Sequence, residues 1–283
     1  MAERSDMSRG AGPEGQAFAR GHLARVIGAL WRLSLAEAVA YRVSMLMWML
    51  TTTFPLVSLA VWAGLAEGGP IGDYARADFV GYFVAAFLVR QVTASWVVWE
   101  LESQIRSGDL STLLMRPVHP LLHHGMQNLA ALPVRVGLAA PIGVVVLVLA
   151  GGIELGGAGA LLVAPAALVL AWLITFNVQV CIGCLAFWLT ASSSLFEVWI
   201  GLYLVLSGAA LPTSLYPPGL AEVVRVLPFH AALGFPVELI IGRVHGPEIA
   251  RGLALQALWL VGFSALSRAL WRRGVRVYGA VGA

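Results

Sequence analysis

Six apolar runs dominate the pattern of hydrophobic and polar positions in this 283-residue chain, near 43–65, 79–99, 132–150, 161–189, 196–215 and 252–270. A hydrocarbon core about 30 Å thick takes roughly 20 helical residues, so each run predicts one crossing. The runs are continuous, whereas barrel strands would alternate polar and apolar residues over about ten positions. Backbone groups in lipid must be paired internally. The expected fold is therefore all-α: an integral membrane bundle of six transmembrane helices. Pro55, Pro141 and Pro165 lie in or near these spans, where neighbouring groups can satisfy the freed carbonyls.

Polar stretches organise the rest. Residues 1–21 lack the apolar centre of a signal peptide and are expected to form a disordered tail. Over 22–41, Leu23, Val26, Ile27, Leu30, Leu33 and Leu35 fall mainly on one helical side, with Arg25, Arg32 and Glu37 largely elsewhere. That pattern predicts an amphipathic helix at the membrane surface, opening a single membrane domain over 22–283. Two connections are too long to be turns. One is 100–131, between the second and third spans. The other is 216–250, between the fifth and sixth, where Pro217, Pro218, Pro228 and Pro236 alternate with apolar residues.

Composition narrows the class. Hydrophobic residues make up 59% of the chain and charged ones 12%, which excludes an ordinary soluble domain. All 18 basic residues are arginine. With both termini inside, 13 arginines face the cytoplasm, four (Arg76, Arg225, Arg243, Arg251) face outward and Arg90 lies within a span. The positive-inside rule therefore predicts cytoplasmic termini. The net charge of +3 is dispersed along the chain and forms no basic face for nucleic acid. With no lysine, the chain cannot carry a G-x-x-x-x-G-K-[ST] phosphate loop, so ATP hydrolysis has to come from a partner.

The 100–131 connection holds most of the candidate chemistry. Glu102 and Arg106 stand four apart and can pair on a helix. Ser107 to Asp109 breaks that helix, Ser111 can cap a short one through Leu114, and Arg116, Pro117 and Pro120 force an extended kink. A short helix held beneath the membrane suits a cytoplasmic partner. His119, His123 and His124 invite a zinc reading, but Pro120 disrupts their alignment, and no metal site is expected. Arg90, beside Gln91, sits mid-span at a cost of roughly 2.5–3.5 kcal/mol. It reads either as part of a translocation pathway or dimer seam, or as a buried ion pair with Glu197 or Glu238. Asn177 and Gln179 are two apart on a helix and point in different directions, toward a seam or a neighbouring helix. Cys181 and Cys184 read as packing residues. Glu100 and Glu102 lack the converging groups of an active site, and Ser192 to Ser194 lack a G-x-S-x-G context. No catalytic residue is expected.

The pattern R-S-G-x-L-x-x-L-L-x-R-P-x-H-P is carried by Arg106, Ser107, Gly108, Leu110, Leu113, Leu114, Arg116, Pro117, His119 and Pro120. Together with L-P-F-H-x-x-x-x-F-P-V-E-x-I-x-G from Leu227 to Gly242 and W-R-R-G-V-R-x-Y-G-A-V-G from Trp271 to Gly282, it resembles the permease subunits of type-2 ATP-binding-cassette transporters. The resemblance implies an interfacial helix, six spans, a coupling helix after the second span and re-entrant helices before the sixth. It makes Arg106, Gly108, Asp109, Leu110, Leu113, Leu114, Arg116, Pro117 and His119 the coupling residues. It also implies two cytoplasmic ATPase subunits, which bind ATP and Mg, and a second permease, identical or homologous. The chain itself would bind no cofactor. The expected activity is export of a lipid, glycolipid, peptide or drug across a bacterial cytoplasmic (inner) membrane. Two rivals are a membrane-embedded lipid-modifying enzyme, which needs clustered acids or histidines, and an ion-coupled carrier, which needs intramembrane carboxylates.

Overall fold

The computed structural model describes residue 28 and residues 31–37, 39–40, 52–150 and 155–281. Half of the expected interfacial helix over 22–41 is covered, and its described residues are helical. The expected tail and the first part of the first span, 43–51, lie outside the described residues. Among the described residues there is no β-strand, only an isolated bridge between Ile71 and Tyr74.

The spans appear as α1 (Phe54–Leu65), α2 (Arg76–Thr93) continued by α3 (Val97–Ser107), α6 (Leu132–Leu149), α7 (Ala158–Cys184), α8 (Ser193–Leu206) and α12 (Pro247–Val281). Between them lie α4 (Leu110–Leu114), α5 (Pro120–Ala130), α9 (Pro218–Val226), α10 (Pro228–Ala232) and α11 (Gly234–Ile240). Four stretches are long and apolar enough to cross a membrane: Arg76–Ser107, Pro120–Leu149, Ala158–Phe187 and Pro247–Tyr278. Phe54–Gly68 and Ser193–Leu206 are shorter apolar helices.

Two expected spans are revised. The second, expected unbroken over 79–99, turns extended at Ala94 (ψ 141°) before α3 begins. The fifth, expected to reach 215, ends at Leu206. Gly208 adopts φ +94°, a left-handed conformation that helices leave rather than enter. The Tyr82 hydroxyl donates to the Gly208 carbonyl at 3.0 Å, and a β-carbon at 208 would meet that hydroxyl at 2.2 Å.

Burial separates interior from perimeter. In the best apolar window of Arg76–Ser107, 72% of residues are buried, against 11% in Pro247–Tyr278. The first is thus the centre of the bundle, and the second lies at its perimeter with most of its apolar surface exposed. Phe79, Phe83 and Phe87 line α2 at i, i+4 and i+8, all fully buried, as a core-facing helix stripe requires. Phe79 stacks on Trp62 of α1 at 5.7 Å. α7 runs through the middle and packs most extensively on α12 and also on α3. Its start meets α11, where Gly156 donates its N–H to the Ile240 carbonyl, and its end packs Cys184 with Leu101 of α3. α4 and α9–α11 therefore occupy opposite ends of the bundle.

Candidate functional site: the turn between the second and third spans

The segment after the second span is built by a few local rules. α3 buries Val97, Val98, Leu101 and Ile105 and stops at Gly108, whose φ of +86° is the left-handed cap that ends many helices. The Ser107 hydroxyl donates to Asp109 Oδ2 at 2.7 Å. α4 then starts at Leu110 behind Asp109. Ser111, expected as the cap, lies inside the helix, and its hydroxyl closes the turn onto the Gly108 carbonyl at 2.7 Å. Leu110 and Leu113 are buried and join a cluster with Leu101, Phe176 and Trp271. On the other face Leu114 and Met115 are exposed, the methionine at 80%, and Arg106, Asp109, Arg116 and Pro117 are exposed beside them. The chain runs on to His119, which caps α5: its Nδ1 accepts the Leu121 N–H at 3.2 Å. Burial pushes the His119 pKa down, favouring the neutral imidazole that this bond needs.

Three contacts fasten the turn to separate spans. Glu102 Oε2 accepts the Ser193 N–H at 2.6 Å and the Ser192 hydroxyl at 3.1 Å. It thus places a carboxylate at the start of α8, where the helix dipole favours negative charge, and Oε1 lies 3.5 Å from Arg106. His124 of α5 is held between Glu100 (2.8 Å) and Gln104 (3.0 Å) of α3. The Tyr278 hydroxyl, near the end of α12, donates to the Gly108 carbonyl at 2.9 Å. A 35-residue helix is about 52 Å long, well beyond a hydrocarbon core about 30 Å thick, and the surplus lets α12 reach α4. An open cavity of about 480 Å3 runs beside these contacts, lined by Trp99, Glu102, Ser103, Arg106, Ser107 and Ser193.

Behind the turn, the break at 94–96 is filled by buried polar groups. Arg135 donates to the Ala94 carbonyl at 2.6 Å and to the Asn128 carbonyl at 3.0 Å, and its guanidinium lies over Trp96, 5.3 Å from the ring centre. Gln179 donates to the Ser95 carbonyl at 2.8 Å, and Asn128 donates to the Ser95 hydroxyl at 3.2 Å. The carbonyls of Ala94 and Ser95 at the break are thereby paired, as buried backbone requires.

The remaining sequence candidates separate. Arg90 lies over the Tyr203 ring at 4.7 Å. Among the described residues it pairs with neither Glu197 nor Glu238, and the latter faces His230 instead. Asn177 accepts from the Ser267 hydroxyl of α12 at 2.9 Å, while Gln179 faces α3, so the two do point in different directions. Cys181 and Cys184 are buried free thiols. Among the described residues no group of three or more His, Cys, Asp or Glu could hold a metal ion. Met115, the cap formed by Glu102, the clasp of Tyr278 and the role of Arg135 went unread in the sequence. Their only signals were a methionine next to an R-P kink and a tyrosine inside the C-terminal motif.

The sequence profile described as "ABC-2 family transporter protein" matches residues 46–282, nearly the whole chain. No curated protein matches it.

Proposed function

This chain belongs to the ABC-2 transporter family, and on that premise we propose that it is the membrane subunit of an ATP-driven exporter moving a hydrophobic or amphipathic substrate. Membership makes it an integral membrane transport component, with an ATP-binding subunit as partner and a second membrane subunit beside it. In our reading two ATPase subunits bind ATP and Mg, since a chain without lysine has no phosphate-loop cation. The second permease is identical or homologous. The membrane is the bacterial cytoplasmic (inner) membrane, with both termini and α4 on the cytoplasmic side, in keeping with the arginine distribution.

The observation that carries this reading is the exposed face of α4 on a turn tied to three spans. Leu114, Met115 and Arg116 are presented to a partner, while Leu110 and Leu113 anchor the turn from within. Gly108, Asp109, Pro117, His119 and Arg106 shape its flanks. Closure of the ATPases on ATP would push this turn, and the contacts through Glu102, His124 and Tyr278 would carry the push to α8, α5 and α12 as a rigid-body movement. Arg90 and Asn177, only partly buried, are the better candidates for the pathway or seam. Gln179 is 2% exposed and bonded within the chain, which favours a supporting role.

Purification of the tagged chain from native membranes tests the proposal. Recovery of an ATPase carrying a phosphate-loop lysine supports it. A folded chain recovered without any ATPase counts against it.

A further inference from the structure

At the end of the bundle away from α4, a cavity of about 500 Å3 opens between α9, α11 and the first turns of α12. Its lining carries both charge signs. Arg225 and Arg251 stand with Glu222 and Glu248, all four exposed and none in an ion pair among the described residues. Arg243, at the edge, is already engaged by Asp78 at 2.7 Å and lies over Tyr74 at 4.1 Å.

Deeper in, Glu238 and His230 are 7% and 5% exposed and face each other at 3.4 Å. His230 Nε2 is buried without a hydrogen bond. Its polar neighbour is Glu238 Oε2 at 3.4 Å, beyond good hydrogen-bond length, so a donor entering from the cavity can satisfy both groups. Beside a buried carboxylate, this nitrogen is matched by a ligand group that brings several N–H donors at once. Val226, Phe235 and Leu255 complete the wall. One turn beyond Leu255 on the same helix face, Leu258 is 65% exposed, and it starts an apolar track leading away from the charged groups.

We propose that this cavity binds the zwitterionic head of an amphiphile in which a phosphodiester is joined to a primary amine. The ammonium group donates to Glu238 and to His230 Nε2, and the phosphate is met by Arg225 and Arg251 through charge-assisted bonds. The hydrocarbon part follows Leu258. A quaternary ammonium has no N–H for His230, and a purely anionic head leaves the Glu238 carboxylate unmatched. The proposal rests on the exporter reading only in placing this end on the outer side of the membrane.

The test is native mass spectrometry of the full chain with its ATPase partner, titrated with phosphatidylethanolamine, phosphatidylcholine and phosphatidylglycerol of identical acyl chains. Phosphatidylethanolamine is expected to be retained about tenfold better than either of the others. Glu238→Gln and Arg251→Ala should each reduce that retention about fivefold, and Arg251 is exposed, so its replacement leaves the core intact. Competition by glycerophosphoethanolamine would assign the site to a water-borne head, and lack of competition to a membrane lipid; the recognised chemistry is the same in both. Equal retention of the three lipids, or unchanged retention in both variants, overturns the proposal. Failure to recover an ATPase with the chain, while the lipid preference persists, would count against the exporter reading alone.

Discussion

Tyr278 reaches back 170 residues to the Gly108 carbonyl, which already accepts from Ser111. That hydroxyl adds a directional bond to the apolar contact by which Trp271 of α12 already meets Leu110 and Leu113. Tyr278→Phe removes a bond with a net worth of about 1 kcal/mol and leaves the exposed face of α4 untouched. The variant should still bind the ATPase but move less substrate per ATP, measured as the ratio of transport to hydrolysis in proteoliposomes. His119 gives a pH signature at the same scale. Burial lowers its pKa, so its stabilising cap is present above the ordinary imidazole range and lost as pH falls through the lowered value. Protonation removes the lone pair that accepts the Leu121 N–H. ATPase association should weaken on acidification, and His119→Asn, which keeps a capping acceptor without titrating, should abolish that pH dependence in a pull-down series.

Among the elements, α4 separates two kinds of residue that the linear motif runs together. Leu113 is 9% exposed and Met115 is 80% exposed. Leu113→Ala should cost about 2–5 kcal/mol of stability as a buried truncation, lowering Tm in detergent. Met115→Asp and Arg116→Glu should leave Tm within a degree or two and weaken ATPase binding about tenfold, the scale of one lost anchor contact. The break at 94–96 behaves differently again. Arg135→Met leaves the Ala94 carbonyl without its donor, and a buried unpaired group costs about 1–3 kcal/mol. A clear fall in Tm is expected, with the outer face of α4 unchanged.

That break also shows where sequence reading ends. The spans were legible because some twenty apolar residues in succession have few other uses. The residues around the break, Thr93 to Trp96, contain neither proline nor glycine, and nothing local announces an interruption. What stabilises it arrives from Arg135, Asn128 and Gln179, which lie 33 to 84 residues away. The early end of α8 is a similar case: apolarity continues through Leu211, but Gly208 turns the backbone where Tyr82 needs the room. In the candidate site, the turn and its kink were readable from Gly108, Pro117 and Pro120. The inward or outward facing of Leu113 and Met115 depends on how α3 rests on α7, which no short motif encodes.

For the whole molecule, the two ends of the bundle have different characters. One presents α4, an exposed methionine and arginines on a braced turn. The other buries every residue from Pro228 to Leu239 and opens a cavity of mixed charge. Between them, the aromatic stripe of α2 makes a rigid centre, and α12 runs from the cavity, through Arg251, to the turn, through Tyr278. The two ends are therefore joined by one continuous helix. This arrangement is the central claim: work enters at α4 from a separate ATPase. Cross-linking tests it most directly, with Met115→Cys in a Cys181→Ala, Cys184→Ala background, a maleimide–benzophenone reagent and native membranes with and without ATP. The account predicts a covalent adduct with an ATPase subunit whose yield changes on ATP binding. A folded, membrane-inserted chain labelled at 115 but yielding no ATPase adduct in either state would contradict it.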